Sequence, residues 1–329
     1  MAHATTAEPA APRAALSGAL ERHRVLAAAA FLAVFPLVAP FEALAVNILI
    51  HGLYALGFNL MFGYLGLLSF GHAALFGGGA YLCGIAIVHF GAPWWVAIPA
   101  GIAGAVAIAA IVGALAVRTR GIYFSMVTLA LAQCFYYIFY QASDWTGGEN
   151  GLRGVDLKAI ALGPATLDFL DPRTRYYVVA AFVVLALWLL SRILASPFGA
   201  VIEAVRENEA RARACGYDVT RTRLLAFVLS GAFCGLAGAL NALHLSIVPI
   251  ESMAIETSGL AVMMCLLGGM GTFFGPFVGA AVFLLLESIV SVWTVHWQLV
   301  VGAVFVLCVL FFPRGIWGSI LHWAAGGGR

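Results

Sequence analysis

Charge is the scarcest commodity in this chain of 329 residues: 17 basic and 15 acidic side chains make up 10% of it, and Lys158 is the single lysine. Soluble domains carry roughly 25% charged residues, so a water-facing globule is excluded. The formal net charge of +2 is too small to hold a nucleic-acid backbone, and no nucleic-acid partner is expected. An ATP site of the form G-x-x-x-x-G-K-[ST] needs a lysine followed by a hydroxyl residue, whereas Lys158 precedes Ala159. The cysteines, Cys83, Cys134, Cys215, Cys234, Cys265 and Cys308, show no C-x-x-C spacing and mostly fall in apolar runs. They read as small core residues without a metal or disulfide role. No metal-spaced His cluster or nucleophile–base pair falls within an apolar run, so neither an enzyme nor a resident cofactor or metal is expected.

What is present is apolar length: 63% of the chain is hydrophobic and its mean hydropathy is +1.00. About 20 helical residues cross a bilayer, and helices satisfy their own backbone there. The runs near 25–41, 43–62, 74–90, 94–117, 121–142, 176–194, 224–248, 257–270, 273–292 and 297–312 predict an all-α polytopic membrane protein of about ten segments, the 257–270 piece being too short to cross comfortably. Arg13, Arg22, Arg24, Arg118, Arg120, six arginines between 192 and 223, Arg314 and Arg329 then fall on one side, which the positive-inside rule makes cytoplasmic. The reading divides the chain into a flexible cytoplasmic segment 1–24, a permease domain 25–312 with an external loop 143–175 and a cytoplasmic loop 195–223, and a cytoplasmic tail 313–329. Both termini are expected inside a bacterial plasma membrane. Ala43-Leu44-Ala45 has the form of a signal-peptidase site, but the leader before the first span is long for a signal peptide, and cleavage is not expected.

Transport needs an energy source. Proton or sodium coupling calls for carboxylates near the bilayer midplane, yet Glu42, Glu251 and Glu256 fall at span ends and Glu287 in the outer half of its helix. A stand-alone ion-coupled transporter is the alternative reading, a structural or regulatory subunit a further one. The charged 192–223 segment offers a third source of energy, a separate ATPase. Ser196-Pro197 signals a helix start, Glu207 and Glu209 stand four residues before Arg211 and Arg213 in the favourable order for ion pairs, Gly216 suits the C-terminal cap, and Asp218 or Thr220 can cap the next span. Taken alone, the pattern also fits an ordinary solvated loop.

Ala204-Val205-Arg206-Glu207-Asn208-Glu209, then Gly216-Tyr217-Asp218-Val219-Thr220-Arg221 and Leu224-Leu225-Ala226-Phe227, resemble the coupling loop of LivM-type permease subunits of branched-chain amino acid ABC importers. The likeness extends to Gly63–Ala74, Arg118–Phe124, Thr146–Leu152, Leu267–Pro276 and Phe312–Gly315 in the same order. Glu149 stands where the family commonly has proline, the Glu-Ala-Ala…Gly pattern of ABC importers in general is matched only loosely by Glu209-Ala210, and His296-Trp297-Gln298 has no counterpart we can assign. The resemblance implies a permease that moves a small amino acid or related polar solute. It also implies a second similar permease, two ATP-binding subunits and an external solute-binding protein as partners, with Glu203, Arg206, Glu207, Glu209 and Gly216 as the residues that meet the ATPase.

The glycine-rich runs 63–79 and 268–276 interrupt hydrophobic segments, one in each half, as expected beside a translocation pathway. Gly271, Gly275 and Gly279 repeat every four residues, a packing stripe. Asn59, Gly66, Ser69, Gly71, His72 and Gln133 are the candidates for the path, against the plainer reading that such polar groups bond to neighbouring helices. Gln133, Tyr136, Tyr137 and Tyr140 share one helical face, which suits an interfacial aromatic belt or a packing surface better than a substrate site.

Overall fold

A computed structural model describes residues 42–155, 160–162, 165–167, 171–312 and 315–324, with residues 25, 28–30 and 32 before them. The expected first span, 25–41, and the segments 1–24 and 313–314 fall wholly or largely outside the described residues. The main helices are α1 (Glu42–Asn59), α2 (His72–Val88), α3 (Trp94–Ala116), α4 (Ile122–Gln141), α5 (Pro172–Leu194), α6 (Pro197–Glu207), α7 (Glu209–Ala214), α8 (Val219–Leu245), α9 (Ile255–Gly268), α10 (Gly275–Trp293), α11 (Trp297–Phe311) and α12 (Gly315–Ala324). Among the described residues seven stretches are long and apolar enough to cross a membrane, and α2 and α9 are shorter apolar helices. The fold is therefore an all-α polytopic bundle. At 17 and 14 residues, α2 and α9 rise only about 25 and 21 Å, short of the roughly 30 Å of hydrocarbon. The expected span 74–90 thus falls short of a full crossing, because the chain ahead of it, from Leu65 to Gly71, is not helical.

The core is α8, which packs against α1, α2 and α3. The approach is backbone to backbone: a Cβ on Gly79 of α2 would sit 2.5 Å from the Gly235 carbonyl oxygen of α8, and one on Gly101 of α3 would sit 2.5 Å from the Gly79 oxygen. Lipid gives helices no hydrophobic drive to associate, so such close van der Waals contact holds them together. Gly275 and Gly279 do the same for α10 against α9, where a Cβ on Gly279 would meet the Gly268 nitrogen at 2.8 Å. Gly271, the third member of the expected stripe, lies instead in the turn between those helices at φ +70°.

Two small β pairs add to the helical reading. In the 143–175 loop β1 (Leu152–Arg153) pairs antiparallel with β4 (Ile247–Val248) just after α8, and β2 (Ile160–Leu162) with β3 (Ala165–Leu167). The loop is thereby tied to the connection between α8 and α9. Asp171 then opens α5, its carboxylate accepting from the Thr174 N–H at 3.2 Å and hydroxyl at 2.9 Å, with Pro172 in the first turn.

Candidate functional site

Two features concentrate polar chemistry in this apolar bundle: the charged segment between α5 and α8, and the two places where membrane helices are broken.

The charged segment forms two helices rather than one. Asn208 takes an extended conformation (φ −157°, ψ 100°) and its side chain accepts from the Arg211 N–H at 2.9 Å, so that it caps a new helix start. The break costs the expected Glu207–Arg211 pair, which does not form, whereas Arg213 reaches Glu209 at 2.9 Å within α7. Proline opens α6 as expected, but the Ser196 hydroxyl turns back to donate to the Ile193 oxygen at 2.6 Å instead of capping. Gly216, at φ +90°, ends α7 in a Schellman pattern: its N–H meets the Arg213 oxygen and that of Tyr217 the Ala212 oxygen. Asp218, and not Thr220, caps α8 by accepting from the Arg221 N–H at 3.0 Å. On α6, Gly199, Ile202 and Val205 face inward while Glu203 and Glu207 are exposed.

Glu209 is only 21% exposed and gathers three guanidinium groups. Arg213 of its own helix lies at 2.9 Å, Arg223 in the second turn of α8 at 2.8 Å and Arg120 from the α3–α4 connection at 3.1 Å. The Arg223 side chain is 9% exposed. Such a buried charge is tolerable only with its counter-ion in place. One carboxylate therefore binds the segment to two points of the membrane bundle. In the sequence Arg118 and Arg120 had a topological reading and a place in the family likeness, and Arg223 a topological reading alone; none of them was expected to pair with Glu209.

The first break follows α1. Its last turn widens into a π-helix, Leu60–Tyr64, and the chain then runs without helix to Gly71. Backbone groups stranded in an apolar bundle must find partners, and neighbouring hydroxyls supply them. Ser125 of α4 donates to the Leu68 oxygen at 2.6 Å, Thr128 accepts from the Phe70 N–H at 3.2 Å, and Ser258 of α9 donates to the Phe70 oxygen at 2.8 Å while accepting from the Ala73 N–H at 2.9 Å. Ser69 accepts from the Gly71 N–H at 3.2 Å. Ser125, Thr128, Ser230 and Ser258 are the residues that sequence reasoning passed over. The signal was the 125/128 spacing, which puts two hydroxyls on one face of an otherwise apolar helix.

His72 opens α2 and is fully buried. Ser230, near the middle of α8, donates its one proton to the Gly57 oxygen at 2.6 Å, so its oxygen can only accept, and His72 Nε2, 2.8 Å away, carries the hydrogen that donates to it. Ser69, Gly71 and His72 are thus brought together at the break. Gln133 is not: it lies half-buried further along α4 and makes no side-chain hydrogen bond among the described residues. Next to it the Tyr136 and Tyr140 rings stack at 6.2 Å, Tyr137 being 64% exposed. His51 donates to the Asn47 oxygen at 3.0 Å on α1.

The second break is the Gly269–Phe274 turn between α9 and α10, at the same end of the bundle as Leu60–Tyr64. Fully buried Asn59 joins the two: its Nδ2 donates to the Thr272 oxygen at 3.0 Å and its Oδ1 accepts from the Gly271 N–H at 3.0 Å. Gly66 (φ +76°) lies beneath the Arg206 stem, where a Cβ would come within 3.2 Å of Arg206 Cγ.

Residues 41–310 match the family model described as the branched-chain amino acid transport system permease component. The chain is 30% identical to the high-affinity branched-chain amino acid transport system permease protein LivM of Escherichia coli K12, over 82% of this chain and 68% of that protein. It is 24% identical to the LivH permease of the same organism over 82% of this chain and 91% of LivH. It is also 37% identical to the autoinducer 2 import system permease protein LsrC of Klebsiella pneumoniae over 41% of this chain and 39% of LsrC. No solved structure gives a significant match.

Proposed function

Because the chain belongs to the branched-chain amino acid transport permease family, we propose that it is the membrane-spanning permease subunit of an ATP-driven importer for branched-chain amino acids or related small polar solutes. It is a multi-pass membrane protein, and we place its arginine-rich end, with both termini, in the bacterial cytoplasm. The 143–175 loop then faces outward and 195–223 inward, with 313–329 as a cytoplasmic tail. ATP would be hydrolysed on two separate subunits. A second permease of similar type completes the membrane pore, and an external binding protein delivers the solute.

The observation that carries this reading is the Glu209 node. A charged two-helix segment outside the apolar bundle, fastened to α8 and to the α3–α4 connection through Arg223 and Arg120, is built to pass force from something docked on it to the membrane helices. The exposed face of α6, with Glu203 and Glu207, is left for the docking partner, and Gly216 sets the return of the chain into α8. Within this reading Glu209 acts by holding the lever to the bundle. The alternative, an ion-coupled carrier working alone, rests on Glu287, the carboxylate furthest inside a described span.

Purification in mild detergent with the neighbouring gene products tests the reading, followed by reconstitution with the binding protein and a solute panel. Uptake that needs ATP and the co-purifying ATPase supports it. Uptake by this chain alone, driven by an ion gradient and indifferent to ATP, overturns it.

A further inference from the structure

The lever and the two breaks touch at one place. The Arg206 side chain leaves α6 toward the membrane bundle: its stem lies along Gly66 in the first break, and its guanidinium lies by Gly271 in the second, with Nη1 3.2 Å from where a Gly271 Cβ would stand. Beneath it, Asn59 holds the second break by both ends of its carboxamide, at 3.0 Å to the Gly271 N–H and 3.0 Å to the Thr272 oxygen. Gly63, one turn on, has no room for a side chain, because a Cβ there would strike the Asn59 carboxamide and the Gly271 backbone. Gly66 and Gly271 both adopt positive φ, +76° and +70°, a conformation that ordinary residues avoid.

This arrangement is not what simple packing requires. A turn in an apolar bundle could pair its own backbone groups, as the Thr272 hydroxyl does with the Gly269 oxygen at 2.7 Å. Instead the Gly271 N–H and Thr272 carbonyl depend on one side chain more than 200 residues earlier, from the other broken segment. Both hydrogen bonds hang on one carboxamide, so that removing it releases the Gly271 N–H and the Thr272 carbonyl together.

We propose that Asn59 and Arg206 form a latch that makes the two breaks move as one body with the lever, so that force arriving at α6 reaches both halves of the pathway together. They are positioning residues for the transport reaction, and the proposal rests on the ATP-driven reading above. Arg206 then works on the membrane side of α6, and docking of the ATPase is left to the face that carries Glu203 and Glu207.

The test uses the complete importer in proteoliposomes, with ATP hydrolysis and solute uptake measured on the same preparation. Asn59→Ala and Arg206→Ala are each expected to lower the solute moved per ATP about tenfold, with the subunits still assembled and ATP still hydrolysed. The double variant should be no worse than either single one, as for residues that act as a unit. An unchanged ratio in Arg206→Ala, whose side chain is exposed, overturns the latch even if Asn59→Ala proves unstable, and additive losses overturn the pairing. Wild-type uptake indifferent to ATP would overturn the functional reading itself, a separate outcome.

Discussion

At the scale of single residues, the weight of the account falls on charges and amides that find partners where water is scarce. Glu209→Gln leaves the nearly buried Arg223 without a carboxylate, and because Glu209 is itself 21% exposed the cost should be about 3 kcal/mol, the low end for a broken buried pair, read as a lower midpoint of thermal unfolding in detergent. Replacing Arg223 by Met in the same background should restore part of that loss, because the stranded charge goes with it. Glu287 gives the opposite expectation. In an importer driven by ATP its ionisation has no role, so Glu287→Gln should leave ATP-dependent uptake within about twofold of wild type, a margin of under 0.5 kcal/mol; abolished uptake would favour ion coupling.

At the scale of elements, Asn208 and Gly216 decide the shape of the lever. Asn208→Ala removes the cap of a six-residue helix at a cost of about 1 kcal/mol, and hydrogen exchange of residues 209–215 should quicken while α8 stays protected. The helices themselves were legible in the sequence because apolar length is a strong signal, and α9 announced its shortness in the same way. The split at Asn208 was not, since the Glu–Arg spacing runs smoothly through it and only the local side-chain-to-backbone bond shows why the chain breaks there. The sharing of a turn by Asn59 was equally hidden: a polar residue at a helix end says that it needs partners, but a partner more than 200 residues away is fixed only by the packing of α1 against α10. Ser258 was missed for the same reason. Gly101 and Gly235 drew no reading from the sequence and Gly79 only a place in the 63–79 run, because which helices a glycine brings together is fixed by the packing of distant segments. Gly235→Leu should prevent that closure, and the expected outcome is loss of the monodisperse peak in detergent chromatography.

For the whole molecule, the proposed function makes the bundle a gate that is driven from outside the chain. Its helices are held by glycine contacts around α8, its two broken segments meet through Asn59, and the charged segment between α5 and α8 is the part proposed to act as a lever. The central claim is that this lever carries the work of ATP hydrolysis into the membrane. The most direct measurement is a pair of cysteines, one replacing Glu203 on the exposed face of α6 and one on the surface of the co-purified ATPase, crosslinked in the assembled importer. The account predicts a crosslink between the two subunits that forms with the protein in native membranes and stops ATP-driven uptake until it is reduced; an α6 that crosslinks to no ATPase, or that is labelled by impermeant thiol reagents from outside the cell, would contradict it.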